Sequence, residues 1–171
     1  MDKIYISMMA AMSLDGLISL HESAPVTFTS REDKELLRHT IENTDCLLVG
    51  RRTYELSQSI LEKRTCVVFS NNPDLRSHKP NITYSQLSKE SIQKLSGSGK
   101  KFLLLGGSQI YHWFIKEGLV NELLLTVEPI VLTQGVPIIS DISLHQRFNL
   151  VSSRILNSQG TVLLHYLTVN Q

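Results

Sequence analysis

Two segments of the sequence place glycine between an apolar run and a stretch typical of a helix. They read LLVGRRTY at residues 47–54 and LLLGGSQI at residues 103–110. Where a strand runs into a helix, the free N–H groups of the first helical turn form an anion site, and glycine lets a phosphate approach the backbone closely. Two such junctions predict a site for a cofactor that carries a pyrophosphate.

The first junction also carries fixed positive charge. Arg51 and Arg52 can each hold a phosphate through two N–H groups, and the Thr53 hydroxyl adds a further donor. These groups suit the phosphate monoester of NADPH, which NADH lacks. For either junction alone, a simple turn with solvated arginines is the better interpretation. The presence of both junctions favours the cofactor site.

Acidic residues lie in the first turn of a predicted helix over residues 31–43, for which Ser30 is the expected N-cap. Glu32 and Asp33 there would favour the helix dipole, and we expect this structural role for Asp33. A carboxyl group in apolar surroundings could instead hold or protonate a nitrogen heterocycle. Glu32 is the weaker capping residue and therefore the preferred catalytic candidate, with Asp33 as the alternative.

Other common site patterns are missing from the sequence. No G-x-G-x-x-G motif follows a predicted strand, and there is no Walker lysine motif, so a Rossmann dinucleotide fold and a kinase are not indicated. Thr126, in a leucine-rich run, could face a core carbonyl or a ligand. The histidines show no metal-ligand spacing with cysteines or carboxylates, and we predict no metal site: His21, His39, His78, His112, His145 and His165.

The elements that must position these residues alternate between strands and helices. Strands are predicted at residues 5–11, 46–49, 66–69, 82–84, 102–105, 123–127 and 162–169, and further helices at 52–60, 89–95 and 108–117. The continuous apolar runs are typical of strands covered by helices on both faces. We therefore predict one α/β domain over residues 1–171, with a mixed, mostly parallel sheet and an antiparallel C-terminal edge.

The composition narrows the classes of partner. Seventeen basic and sixteen acidic residues give a net charge of +1, which offers no argument for a nucleic-acid or membrane partner. Cys46 and Cys66 lie in apolar runs and are expected to be buried, reduced thiols, so a cytoplasmic protein is predicted. The Gly/Ser-rich stretch at residues 96–101 is too short to separate domains and is predicted to be a loop.

These segments together resemble the dihydrofolate reductase superfamily, and especially the reductase domain of riboflavin biosynthesis and its stand-alone relatives. Residues 9–18, MAAMSLDGLI, are similar to the family's first strand and mobile loop over the nicotinamide. GRRT at 50–53 resembles the phosphate-binding segment, and LGGSQIY at 105–111 the glycine-rich turn. The cofactor contacts implied by the resemblance are Ala11, Ile18, Gly50, Arg51, Arg52, Thr53, Ser70, Asn71, Gly106, Gly107, Ser108, Gln109 and Ile110.

On the substrate side, the resemblance implies contacts from four residues, Met9, Asp15, Glu32 and Thr126. The family's acidic position falls on Glu32 by spacing, with Asp33 one residue away. True dihydrofolate reductases have a tryptophan in the mobile loop, whereas residues 20–29 have none. Riboflavin-pathway reductases commonly have a lysine where this chain has Met9 and a glutamate where it has Leu105. These departures concern the substrate and not the cofactor.

The resemblance implies a three-layer dihydrofolate-reductase-like sandwich with NADPH between the two glycine junctions. The expected activity is NADPH-dependent reduction of a small pyrimidine- or pteridine-type substrate, similar to the 5-amino-6-(5-phosphoribosylamino)uracil reductase. A true dihydrofolate reductase and a non-catalytic NADP-binding relative are the alternatives. Family members are often homodimers, so a homodimer is expected here too.

Overall fold

A computed structural model of the protein describes residues 4–72, 74–95, 100–140 and 146–169. The predicted loop at 96–101 therefore lies mostly outside the described residues, as does His145. The strands are β1 (Tyr5–Met12), β2 (Leu17–Ser19), β3 (Cys46–Gly50), β4 (Cys66–Phe69), β5 (Ile82–Ser85), β6 (Lys101–Leu104), β7 (Glu122–Val127), β8 (Val136–Pro137), β9 (Phe148–Ile155) and β10 (Val162–Thr168). The helices are α1 (Arg31–Glu42), α2 (Arg51–Leu56), α3 (Gln58–Leu61), α4 (Lys89–Gln93) and α5 (Ser108–Lys116).

Eight strands form one sheet in the order β5-β4-β3-β6-β1-β7-β10-β9. All pairs from β5 to β7 are parallel, and β10 then pairs antiparallel with both β7 and β9. This arrangement confirms the predicted fold class. Since the carboxyl ends of parallel strands meet at one edge, the ends of β3, β6 and β1 lie side by side.

Helices cover both faces of the central strands, which explains why the apolar runs there are continuous. Phe114 of α5 packs with Ile6 and Leu104 on one face. On the other face, Ile41 of α1 belongs to the same apolar cluster as Val49 of β3. Every residue of β3 is buried, as expected for a strand between two helical layers.

Some elements differ from the sequence prediction. The helix predicted at 52–60 is divided at Ser57 into α2 and α3. Strands β2 and β8 pair only with each other in a small second sheet, and this long-range pairing leaves no local pattern. Strand β9 was not predicted individually, because seven of its eight residues are exposed and its polarity follows no burial pattern. Among the described residues, no helix is long and apolar enough to cross a membrane.

Candidate cofactor and substrate cleft

A cleft of about 910 Å³ lies at the carboxyl edge of the parallel strands. Its walls come from the first turns of α2 and α5, the segment after β4, and the chain between β2 and α1. Gly106 lies beneath this surface and is buried. All the other predicted cofactor residues line the cleft: Ala11, Ile18, Gly50, Arg51, Arg52, Thr53, Ser70, Asn71, Gly107, Ser108, Gln109 and Ile110.

The two glycine junctions form one continuous floor. The N–H of Gly50 donates to the carbonyl oxygen of Gly106 at 2.6 Å, and Leu105 N donates to Leu48 O at 2.9 Å. Gly106 has φ of +93°, and a Cβ at this position would lie 2.8 Å from the Tyr111 ring. Only glycine suits both the backbone conformation and the space at this position. The Gly106 carbonyl, which accepts from Gly50 N, joins the two junctions.

Gly107 presents bare backbone to the cleft. It has φ of −77°, which any residue can adopt, and it caps α5 with no side-chain hydrogen bond. A Cβ at this position would meet only Thr53 Oγ1 within 4 Å, at 3.3 Å. The side chain absent here leaves a cradle at the amino end of a nine-residue helix. A phosphate group fits such a place, because it can approach uncapped N–H groups closely.

Each arginine of the first junction pairs with a glutamate. Arg51 Nη1 contacts Glu55 Oε1 at 2.9 Å one helical turn away, and Arg52 is paired with Glu22 from the segment after β2. Both guanidinium groups remain about half exposed and border the cleft. Glu22 also lines the cleft and was missed by the sequence analysis, since no local pattern connects residues 30 positions apart.

Asp33 is a buried carboxylic acid in the cleft wall. Its side chain is buried, with the residue only 4% exposed, and this burial raises the pKa of its carboxyl group. Thr126 and Thr29 lie near enough to act against that rise, whereas the negative charge of Glu128 adds to it. Among the described residues, the buried Thr126 Oγ1 has no hydrogen-bond partner. The Asp33 N–H also donates to the Ser30 side chain at 3.2 Å, which confirms Ser30 as the N-cap.

Glu32 lies outside the cleft. Asn157 Nδ2, from the turn between β9 and β10, donates to Glu32 Oε2 at 3.1 Å. This hydrogen bond lowers the pKa of the Glu32 carboxyl group, which is the opposite of the shift at Asp33. Of these two neighbouring carboxyl groups, the one that lines the cleft is therefore that of Asp33.

Sequence comparison assigns the chain to a family. Residues 4–162 match the RibD C-terminal domain family. The chain belongs to that family. It is also 24% identical over 165 residues to the uncharacterized protein YwjB of Bacillus subtilis (strain 168), covering 92% of this chain and 94% of that protein.

Solved structures share the fold of this RibD C-terminal domain protein. Acinetobacter baumannii RibD superimposes with a TM-score of 0.79 at 16% identity, over 98% of this chain and 58% of that one. Dihydrofolate reductase from Enterococcus faecalis, a complex with NADP(H), gives 0.75 at 17% identity over 99% of both chains. The protein therefore has a dihydrofolate-reductase-like fold.

The predicted substrate residues of this RibD C-terminal domain protein do not all line the cleft. Met9 lines the cleft, whereas Thr126 is fully buried beside the Asp33 carboxyl group. Asp15 does not line the cleft, and its carboxylate accepts hydrogen bonds from Leu132 N at 3.1 Å and Thr133 N at 2.8 Å. A hydrogen bond from Ser13, with these backbone bonds, lowers the Asp15 pKa to about 2. Asp15 thus fixes the loop after β7.

The described residues of this RibD C-terminal domain protein contain no group of three or more histidine, cysteine, aspartate or glutamate side chains that could hold a metal. Cys46 and Cys66 are both buried free thiols. Burial raises the pKa of Cys66 to about 12, so this thiol stays protonated and unreactive.

Proposed function

We propose that the protein is an NADPH-dependent reductase that transfers a hydride to a pyrimidine- or pteridine-type ring. The observation that supports this proposal most is the presence, in one cleft, of the Gly107 cradle and the buried carboxyl group of Asp33. A phosphate-bearing cofactor fits the cradle, and a protonated acid fits a nitrogen ring. Membership of the RibD C-terminal domain family is consistent with both parts.

The cofactor residues each have a distinct task in this proposal. The backbone at Gly107 would hold the pyrophosphate, Arg51 and Arg52 the ribose phosphate, and Ser70 and Asn71 the adenosine end. NADPH supplies the hydride when bound. Because a ribose phosphate carries negative charge, the two arginines would favour NADPH over NADH.

Asp33 would supply the proton. When a ring C=N bond is reduced, its carbon gains a hydride and its nitrogen gains a proton, so a protonated carboxyl group beside that nitrogen completes the reaction. The raised pKa of Asp33 keeps a larger fraction of its carboxyl group protonated as the pH rises.

The substrate side of the cleft has an apolar contribution from Met9 and Leu105. Neither side chain can form the charged contacts expected of lysine and glutamate at these positions. We therefore infer a heterocyclic substrate recognised through its ring nitrogens by Asp33. The substrate of the riboflavin-pathway reductases themselves is the first compound to test.

The proposal is tested by NADPH oxidation with a panel of pyrimidines and pteridines, including dihydrofolate. On an accepted substrate, Asp33→Asn should lower turnover by roughly two to four powers of ten, the range for a lost general acid. Its NADPH affinity should stay near that of the wild type. Glu32→Gln is the matched control and should keep turnover, because Glu32 contacts Asn157 outside the cleft.

Each contrary result has a clear meaning. Bound NADPH that no compound in the panel consumes would favour a non-catalytic NADP-binding protein. Turnover with dihydrofolate alone would favour a true dihydrofolate reductase. Full activity in Asp33→Asn would remove the proposed proton donor.

A further inference from the structure

A second buried carboxylate lies behind the cleft wall. Glu128 follows β7 directly and is only 3% exposed. Its Oε1 accepts from Ser30 N at 2.7 Å, and its Oε2 accepts from Thr161 Oγ1 at 2.7 Å. Burying a carboxylate is costly unless its oxygens are hydrogen-bonded, and here each oxygen has a donor. Glu128 has no direct part in the proposed reaction.

Glu128 is connected to Asp33 through the first turn of α1. The residue that donates its N–H to Glu128 is Ser30, whose hydroxyl in turn accepts from the N–H of Asp33 at 3.2 Å. The Glu128 N–H donates to Met12 O at 2.8 Å, which fixes its backbone against the end of β1. The start of the helix that carries Asp33 is therefore tied to the sheet through one carboxylate.

The turn between β9 and β10 supports the same carboxylate. Asn157 Nδ2 donates to Thr161 Oγ1 at 2.9 Å and to Glu32 Oε2 at 3.1 Å. Asn157 Oδ1 also accepts from Thr161 N at 3.1 Å. The side chains of Glu128 and Glu32 are thus held from the same turn, and neither faces the cleft.

We propose that Glu128 is a positioning residue that fixes the first turn of α1 through Ser30 and places a second buried negative charge behind the Asp33 carboxyl group. This proposal rests on the proposed function, in which Asp33 is the proton donor. The other groups that act on Asp33 are the hydroxyls of Thr29 and Thr126 and the ammonium of Lys34, which all favour ionisation. Tyr111 of α5 stays neutral, since burial raises its pKa.

The test is a carboxyl-carbon NMR titration of protein labelled at aspartate. The Asp33 signal is identified as the one missing from Asp33→Asn. In Glu128→Gln, which keeps an oxygen to accept from Ser30 N, we expect the Asp33 titration midpoint to move to lower pH. Glu35→Gln, an exposed carboxylate on the same helix, is the control and should leave the midpoint in place.

A second variant distinguishes the effect of the Glu128 charge from the effect of its hydrogen bonds. Glu128→Asp keeps the negative charge but is too short for both hydrogen bonds, so the midpoint should remain above the ordinary range for aspartate while thermal stability falls. A midpoint unchanged in Glu128→Gln would overturn the proposal. If that variant does not fold, an ordinary midpoint in Glu128→Asp overturns it instead. The titration needs neither cofactor nor substrate, so failure of NADPH binding would count against the proposed function alone.

Discussion

Neighbouring residues Glu32 and Asp33 have opposite environments because successive residues on a helix point about 100° apart. Asp33, Leu37 and Ile41 recur at every fourth position and so share the face that α1 turns toward the sheet. This spacing is visible in the sequence and is the signal for the burial of Asp33. The preference for Glu32 depended on capping and on the spacing of the family's acidic residue, and neither describes how the helix is rotated against the core.

The buried Asp33 carboxyl group should cost stability at neutral pH. Its pKa is raised, so the folded protein binds more protons than the unfolded chain between the ordinary aspartate pKa and the raised one. Stability should therefore fall as the pH rises through that interval. Asp33→Asn should remove this fall and raise Tm at neutral pH.

Urea or thermal unfolding across the acid-to-neutral range measures this effect. Asp15→Asn is the control, and its expected effect on stability is the opposite. Because hydrogen bonds lower the Asp15 pKa, the Asp15 carboxylate stabilises the folded protein at pH values above the ordinary aspartate pKa. That variant should lose stability at neutral pH. If the stability of Asp33→Asn depends on pH as that of the wild type does, burial of the Asp33 carboxyl group does not destabilise the folded protein.

At the scale of elements, the sequence was most informative where strands are covered on both faces. Strands β3, β4 and β6 were predicted within one residue at either end, because each is a short apolar run beside a turn. Strands β2 and β8 could not be predicted, since each depends on a partner far away in the chain. The break at Ser57 likewise has no glycine or proline to signal it.

The strand-to-helix junction at Gly107 carries a prediction of its own. Gly107→Val should fold, because the added Cβ would meet only Thr53 Oγ1 within 4 Å, but it should abolish NADPH binding by filling the cradle. Gly107→Ala is the graded comparison and should weaken binding less. Thermal unfolding and NADPH titration of both variants measure the two effects. A folded Gly107→Val with wild-type affinity would mean that the junction is only a turn.

At the scale of the whole molecule, the sheet order explains how distant residues form one site. Strands β3 and β6 are neighbours, so the two junctions meet although they are more than 50 residues apart in sequence. The sequence predicted each junction and the parallel sheet between them. It could not predict that the β9–β10 turn would reach the start of α1, because that contact joins residues 125 positions apart.

The outer edge of the sheet, formed by β9, exposes apolar side chains. Strand β9 pairs on one side only, and the apolar side chains of Leu150, Val151 and Ile155 on it are more than half exposed. The expected homodimer stays a prediction.

The central claim is that the cleft binds NADPH through its phosphates, and calorimetric titration with NADPH and NADH tests it most directly. We expect saturable binding of NADPH that is tighter than that of NADH. We further expect Arg51→Ala and Arg52→Ala each to reduce this difference in affinity, since both guanidinium groups border the cleft. Equal affinities for the two cofactors, or a preference for NADH that survives both substitutions, would contradict it.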